Sequence, residues 1–400
     1  MLCPRMYSYA HMTENGPGKL SADERTFAVA HWGEHTRGGG DRVAWELART
    51  FAPGSYYVGW RAPVDTPADL ERHQLIRGNV FAWFLHRPGI PRQVAHMLGW
   101  QIAAPLRKYD VVITSGNEPL FYVPPDGQCW VAYIHHTNRR HSDQIDISSK
   151  SRFPSLRLLI STAMRTVFEQ NTHKPDMFVA NSEIVARRIN RYWGVPPEKI
   201  TVVYPPVDTE RYSTTAAANE AYYLTLSRLD WHKDIDDIVG AFAELDRELV
   251  IVGDGPERAK LEELATDNVR FTGYVSEETK RQLLSGARAF VFNGRDEDFG
   301  IAPVEALASG TPVLGVAEGM TQYQVIPSKN GYLFDRSADG ETIRKAIDRF
   351  ERDGVSMTGE EIERTADRFS KDAFRKEMHE VIVTALDAAD VTPDWYPPDH

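Results

Sequence analysis

Short apolar runs alternating with stretches of helical periodicity recur along nearly the whole chain, and that alternation leaves few folds open. Thr26–Trp32, Tyr56–Trp60, Asp110–Ser115, Cys129–His135, Asp176–Ala180 and Ile200–Tyr204 read as strands, with helices at Arg42–Phe51, Arg157–Phe168 and Ser182–Trp193. The pattern then begins again, with strands at Tyr222–Ser227, Glu248–Val252, Val269–Gly273, Ala289–Phe292 and Pro312–Gly315. Strands apolar on both faces belong in parallel sheets covered by helices on each side. Two such arrays, joined through the Pro-Pro and Thr/Ala-rich stretch from Tyr204 to Ala218, predict an α/β chain of two Rossmann-like, doubly wound domains facing a cleft. The expected limits are 26–206 for the first domain, 207–219 for a linker and 220–365 for the second domain. A closing helix over 366–389 is expected to pack back towards the first domain. Residues 1–25 read as a flexible leader and 390–400 as a disordered, acidic, Pro-rich tail.

Ligands of doubly wound sheets sit outside the carboxyl ends of the strands, so chemistry is sought there. At the end of the first strand of the second array stands Ser227-Arg-Leu-Asp-Trp-His-Lys233. The fork of Arg228 and the point charge of Lys233 suit a pyrophosphate, although a basic pair alone also suits a solvated turn. Glu297-Asp-Phe-Gly-Ile-Ala-Pro-Val-Glu305 follows a later strand and enters a helix whose first turn holds Pro303. Gly300 lets backbone approach a ligand closely, and N–H groups at the helix start face anionic oxygens. Glu297 can accept hydrogen bonds from sugar hydroxyls and Glu305 can reach a ribose diol, whereas a first-turn glutamate alone merely complements the helix dipole.

These residues resemble the retaining glycosyltransferases of family 4. Glu297 and Glu305 match the E-x7-E signature, and Arg228 and Lys233 match the phosphate-binding pair. Val252-Gly-Asp-Gly-Pro256 and Phe271-Thr-Gly-Tyr-Val275 match two further family segments, the second lining the base pocket. Val179-Ala-Asn-Ser182 and Val203-Tyr-Pro-Pro-Val-Asp208 match the interdomain junction. The likeness runs from about 26 to 389 and is densest from 176 to 316. It implies the GT-B architecture, with donor-binding roles for Glu305, Gly300, Phe299, Ile301, Val275 and Gly253, and with Glu297, Arg228 and Lys233 at the reacting centre. One departure is Glu318-Gly-Met-Thr-Gln322, where family members usually end the turn in glutamate.

In the first half, His31-Trp-Gly-Glu-His-Thr-Arg-Gly-Gly-Gly40 follows the first strand, and Asp41-Arg42 opens a helix. Consecutive glycines let backbone amides cradle a phosphate or an acceptor, though most such runs are plain loops. By resemblance, Gly39 and Gly40 form the family's first glycine loop. Tyr133-Ile-His-His-Thr-Asn-Arg139 ends a strand at the cleft. Two registers against the family pattern are open: one selects His135 and Arg139, the other His136, Thr137 and Arg140, and the first is preferred. His135, His136, His141 and Asp143 lack a recognised metal-ligand spacing. The Asp234-Ile-Asp236 and Asp296-Glu-Asp298 triplets could hold a divalent ion but are read as a helix start and as part of the signature. No metal or other cofactor is expected beyond the nucleotide sugar itself.

A net charge of −11 over 400 residues argues against nucleic acid as a partner. Against that background, 72–109 lacks acidic residues yet holds Arg72, Arg77, Arg87, Arg92, Arg107 and Lys108 among Phe81, Trp83, Phe84 and Trp100. Such a segment can rest on anionic headgroups, or its aromatics can be core and its arginines a solvated face. Cys3 and Cys129 suggest neither a disulfide framework nor a zinc site, and no run suits a secretory signal or a membrane span. The expectation is a cytoplasmic protein, peripheral to the membrane at most.

The resemblance implies hexose transfer from a UDP- or GDP-linked sugar to a hydroxyl, with retention and without metal, and a glycan or lipid-linked acceptor. A sugar-nucleotide epimerase of the same architecture, or a binding protein with a decayed site, would have to explain the intact signature and phosphate pair. A phosphorylase would need a pyridoxal lysine and a longer chain.

Overall fold

The computed structural model describes residues 25–34, 38–61, 66–76, 90–137, 174–212, 222–337 and 339–390. The expected leader up to 24, the tail from 391, the helix over 157–168, most of the linker, Arg139, His141 and Asp143 lie outside these residues.

Two parallel sheets carry the chain. The first contains β1 (Phe27–Glu34), β2 (Ser55–Arg61), β3 (Arg72–Gln74), β4 (Val111–Ser115), β5 (Cys129–Ile134), β6 (Met177–Ala180) and β7 (Ile200–Val202), in the spatial order β3-β2-β1-β4-β5-β6-β7. The second contains β8 (Tyr222–Leu226), β9 (Glu248–Val252), β10 (Val269–Gly273), β11 (Ala289–Phe292), β12 (Val313–Val316) and β13 (Gly331–Phe334), ordered β10-β9-β8-β11-β12-β13. Every registered strand pairing is parallel. The order reverses beside β1 and β8, so each sheet has a crevice there, between β1 and β4 and between β8 and β11. The two doubly wound sheets are those the alternation predicts. β3 and β13 go beyond it: β3 is three polar edge residues, and Gly331-Tyr-Leu-Phe334 is too short to show a period.

The helices α1 (Gly39–Thr50), α2 (Ile90–Gln101) and α3 (Glu183–Trp193) accompany the first sheet. α4 (Ile235–Ala243), α5 (Arg258–Leu264), α6 (Glu277–Gly286), α7 (Ile301–Ala308), α8 (Thr321–Gln324), α9 (Glu341–Asp353) and α10 (Gly359–Arg364) accompany the second, and α11 (Lys371–Asp390) closes the chain. Local chemistry sets their ends. Ser182 accepts from the Val185 N–H to start α3, and Gly194, at φ 67°, ends it in the left-handed conformation.

Strand β4, Val-Val-Ile-Thr-Ser, is buried throughout because both faces of its sheet are covered. Trp100, Trp130, Phe178 and Ile189 fill one side. The other side joins Val43 and Leu47 of α1 to Phe374, Met378, Ile382 and Leu386 of α11. Each large apolar side chain fully buried contributes about 2 kcal/mol, so the last helix is anchored on the first sheet even though it follows the second in sequence. The chain crosses between the two halves at adjacent points, where the Val207 N–H donates to the Phe369 carbonyl at 2.8 Å.

Candidate active site

The carboxyl ends of β1, β5 and β6 face those of β8 and β11 across a cavity of about 570 Å³, a size suited to a nucleotide-sugar-scale ligand. Its lining includes Gly39, Gly40, His135 and His136 from the first half. Arg228, Lys233, Glu297, Phe299, Gly300, Ile301 and Glu305 come from the second. Residues separated by more than 250 positions therefore meet, as the two-domain reading requires. Gly253 and Val275 are not among the lining residues. Val275 packs against the second core. Gly253, at φ 126°, brings its backbone so close to Ser227 that a Cβ would lie 1.9 Å from the Ser227 carbonyl oxygen. Its glycine serves the close approach of the ends of two neighbouring parallel strands.

On the second half, β8 delivers Ser227 and Arg228 to the cavity edge, where the Arg228 side chain is 68% exposed. The next turn is set by Asp230, whose carboxylate accepts from the His232 N–H at 3.1 Å. That turn presents Lys233, whose Nζ lies 2.5 Å from Glu297 Oε2. The Glu297 loop is held from behind. The Met320 N–H donates to the Glu297 carbonyl at 2.9 Å, and buried Gln324 donates through Nε2 to the carbonyls of Phe299 and Gly300 at 2.7 and 3.2 Å. Gly300, at φ 75°, then turns the chain into α7. Gln322, the residue at the departure from the family pattern, donates to the Gly319 carbonyl at 2.9 Å.

Glu305, 3% exposed, is the most deeply buried carboxylate lining the cavity. Its Oε1 accepts from the Tyr212 hydroxyl at 2.8 Å, from Lys280 Nζ at 2.9 Å and from Arg42 Nη1 at 3.4 Å. Burial and the adjacent Glu305 carboxylate push the Tyr212 hydroxyl far above the usual phenol range, so it is a fixed donor. Arg42 comes from α1, so this cluster spans both halves.

The glycines expected to form a loop are the first turn of α1. A Cβ on Gly39 would come within 2.8 Å of Ile301 Cδ1, so α1 and α7 approach end to end through a residue without a side chain. Asp41 Oδ2 accepts from the Gly38 N–H at 3.2 Å. Beyond β5, the His135 Nε2 lies 2.7 Å from Ser115 Oγ, and the Asn181 side chain donates to the His135 carbonyl at 2.7 Å. Burial, then the neighbouring His31 and His136 rings, hold His135 well below the ordinary histidine range, so it is neutral at pH 7. His136 is exposed, with Nδ1 3.2 Å from Asn117 Nδ2.

Arg42, Asn181 and Lys280 line the cavity without having been singled out in the sequence, and Arg188 and Gln324 support its walls. Asn181 falls in a matched segment, but Lys280 and Arg188 carry no local signal. Arg188, on α3, reaches across to Asp298 and, at 2.5 Å, to Asp296. Among the described residues no three His, Cys, Asp or Glu side chains converge as a metal site. None of the described helices is long and apolar enough to cross a membrane.

Comparison with known proteins agrees with this geometry. A profile for glycosyl transferases group 1 matches residues 207–374 and one for glycosyltransferase family 4 matches residues 37–211. A D-inositol 3-phosphate glycosyltransferase of Nocardioides sp. is 29% identical over 202 residues, covering 42% of this chain and 44% of that protein. A GDP-mannose-dependent alpha-(1-6)-phosphatidylinositol dimannoside mannosyltransferase of Mycobacterium tuberculosis is 35% identical over 134 residues, covering 31% and 35%. The chain thus spans less than half the length of these relatives. Anabaena HepE, solved with UDP and glucose, superposes with a TM-score of 0.68 at 16% identity, over 90% of this chain and all of that one. With two adjoining profiles, the E-x7-E segment in the cleft and the shared two-domain architecture, the chain belongs to glycosyltransferase family 4, the glycosyl transferases group 1, and has the GT-B fold.

Proposed function

We propose that the protein transfers a hexose from a nucleoside-diphosphate sugar to a hydroxyl acceptor, with retention at the anomeric carbon and without a metal ion. The observation that carries this reading is the cavity that sets Arg42, Arg228, Lys233 and Lys280 around Glu297 and Glu305 at the start of α7. In the transfer, the bond between the anomeric carbon and the diphosphate oxygen breaks and a bond to the acceptor oxygen forms on the same face. The acceptor proton passes to the departing diphosphate. Negative charge grows on the diphosphate as it leaves, and Arg228, Lys233 and the N–H groups at the start of α7 are placed to stabilise it. Glu297 accepts from sugar hydroxyls, Glu305 from the ribose diol, and His135 orients the sugar or the acceptor.

The names of the relatives and of the structural neighbour favour a UDP- or GDP-linked glucose or mannose, and an acceptor of inositol-phosphate or lipid-linked character. In the described part of the basic segment Arg72 is paired with buried Glu34 and Trp100 is core, so the second assignment rests on exposed Leu98, Ile102, Arg107 and Lys108 alone, with Ile102 66% and Leu98 44% exposed. On this reading the protein is cytoplasmic and that surface is its contact with anionic headgroups.

The test is thermal unfolding with UDP, GDP and ADP separately. A ligand at 100 times its Kd stabilises by about 2.7 kcal/mol. A shift with one nucleotide, abolished in Arg228→Ala, supports the donor site; no shift with any of the three overturns it.

A further inference from the structure

Behind the cavity, three polar side chains that the donor reading does not use join His135 in a continuous hydrogen-bonded line. Asp41 Oδ1 lies 3.2 Å from His31 Nε2, His31 Nδ1 lies 3.0 Å from Ser115 Oγ, and Ser115 Oγ lies 2.7 Å from His135 Nε2. His31 and Ser115 are fully buried and Asp41 is 5% exposed. The register of the first sheet makes the line possible: His31 and Ser115 are direct partners on β1 and β4, and His135 follows β5, the next strand.

We infer that Asp41, His31 and Ser115 are positioning residues that fix the tautomer of His135, so that it offers the cavity a hydrogen-bond acceptor at Nδ1. An ionised carboxylate can only accept, so His31 carries its proton on Nε2. With that single proton the ring has a bare Nδ1, which accepts from the Ser115 hydroxyl. The same hydroxyl oxygen accepts from His135 Nε2–H, and this leaves His135 Nδ1 with a lone pair. That atom has no hydrogen-bond partner among the described residues and is not enclosed, and His135 lines the cavity. Its complement is a hydroxyl donor, which a hexose or a polyol acceptor supplies and a bare diphosphate does not. Asp41 adds a link, because its second oxygen accepts from the Gly38 N–H and so ties the start of α1 to the same line. A neutral His135 agrees with its depressed basicity.

This inference rests on the glycosyltransferase reading for the identity of the hydroxyl, but not for the tautomer, and the experiment separates the two. Histidine ¹⁵N shifts are recorded on the full-length protein without substrate, with His135→Gln and His31→Gln for assignment. The expected result is both rings protonated on Nε2. In Ser115→Ala, His135 moves to a mixture of tautomers while His31, still held by Asp41, does not. With sugar donor, Ser115→Ala lowers kcat by roughly tenfold, about one neutral hydrogen bond, and leaves the affinity for the free nucleotide unchanged. Ser115→Thr, which keeps the hydroxyl, restores both the tautomer and the rate. A wild-type His135 protonated on Nδ1, or a tautomer indifferent to Ser115→Ala, overturns the inference whatever the nucleotide results. Failure of all nucleotides to bind, with the tautomers as expected, overturns the donor reading alone.

Discussion

Replacing Glu305 with glutamine tests the densest cluster of the cavity while changing almost nothing in volume. The amide keeps one acceptor oxygen for Tyr212, so the loss is the charge facing Lys280, whose side chain is 9% exposed, and Arg42, which is 43% exposed. A hydrogen bond to a charged group contributes about 1.5–3 kcal/mol. The Arg42 share is screened to a few tenths of that scale by its exposure. Stranding a buried charge outright costs about 3–5 kcal/mol, but Lys280 keeps Glu277 at 2.9 Å, so that limit is not reached. A loss of about 2 kcal/mol is therefore expected, which at roughly 2–4 °C per kcal/mol lowers Tm by roughly 4–8 °C. Thermal unfolding of Glu305→Gln, Lys280→Met and the double variant is the assay. Removing both partners leaves no stranded ammonium, so the double variant should be more stable than the sum of the singles. A Glu305→Gln protein within about 1 °C of wild type, or strictly additive singles, would refute a Glu305–Lys280 pair in the folded state.

Gly253→Ala should cost several kcal/mol and compromise folding as a whole, because its Cβ would overlap the Ser227 carbonyl oxygen; a stable variant that only loses nucleotide would put Gly253 back in the donor site. His135 is neutral in the folded protein at a pH where the unfolded chain already binds a proton, so stability is full above about pH 6.5 and falls as pH drops through the lower folded value. Urea midpoints between pH 7.5 and 5 should therefore decline less steeply in His135→Gln than in wild type, and equal slopes would count against a half-buried, neutral ring. Burial pushes the Cys129 thiol up to about 12, so iodoacetamide at pH 8 should label its peptide only in denaturant. Arg188→Gln should weaken nucleotide affinity and enlarge the radius of gyration in solution scattering, since Arg188 clasps Asp296 and Asp298 across the two halves.

What the sequence made legible is what depends on short stretches of chain. Apolar runs reveal the buried parallel strands because both faces of β4 or β11 are covered, and a signature held within nine residues reveals Glu297, Gly300 and Glu305. Lys280 is an ordinary helical lysine until α6 packs beside α7, and Arg188 is one of several arginines on α3 until the second half stands opposite. The Asp41–His31–Ser115–His135 line is invisible for the same reason, being made by strand register. Gly253 shows the converse: a residue in a matched segment whose requirement for glycine arises from the close approach of two strand ends.

The charges lining the cavity give a reason for building it from both halves. Arg228, Lys233 and Lys280 from the second half face Glu297, Asp298 and Glu305 from that same half, three cations against three carboxylates. By formal charge alone, an anion brought to that half would meet no net attraction. The first half tips the balance, because Arg188 of α3 pairs with Asp298 and α1 delivers Arg42 to Glu305, and the glycine at position 39 lets α1 come close to Ile301. The same approach brings His135 to the cavity wall. Nucleotide affinity is then expected to depend on the apposition of the two halves, and Gly39→Ala provides the measure. Its Cβ meets only the tip of the Ile301 side chain, so the variant should fold normally while the Arg42–Glu305 contact lengthens and nucleotide affinity drops severalfold. Unchanged affinity both here and in Arg42→Gln, which removes the contact directly, would mean that the second half binds the diphosphate by itself.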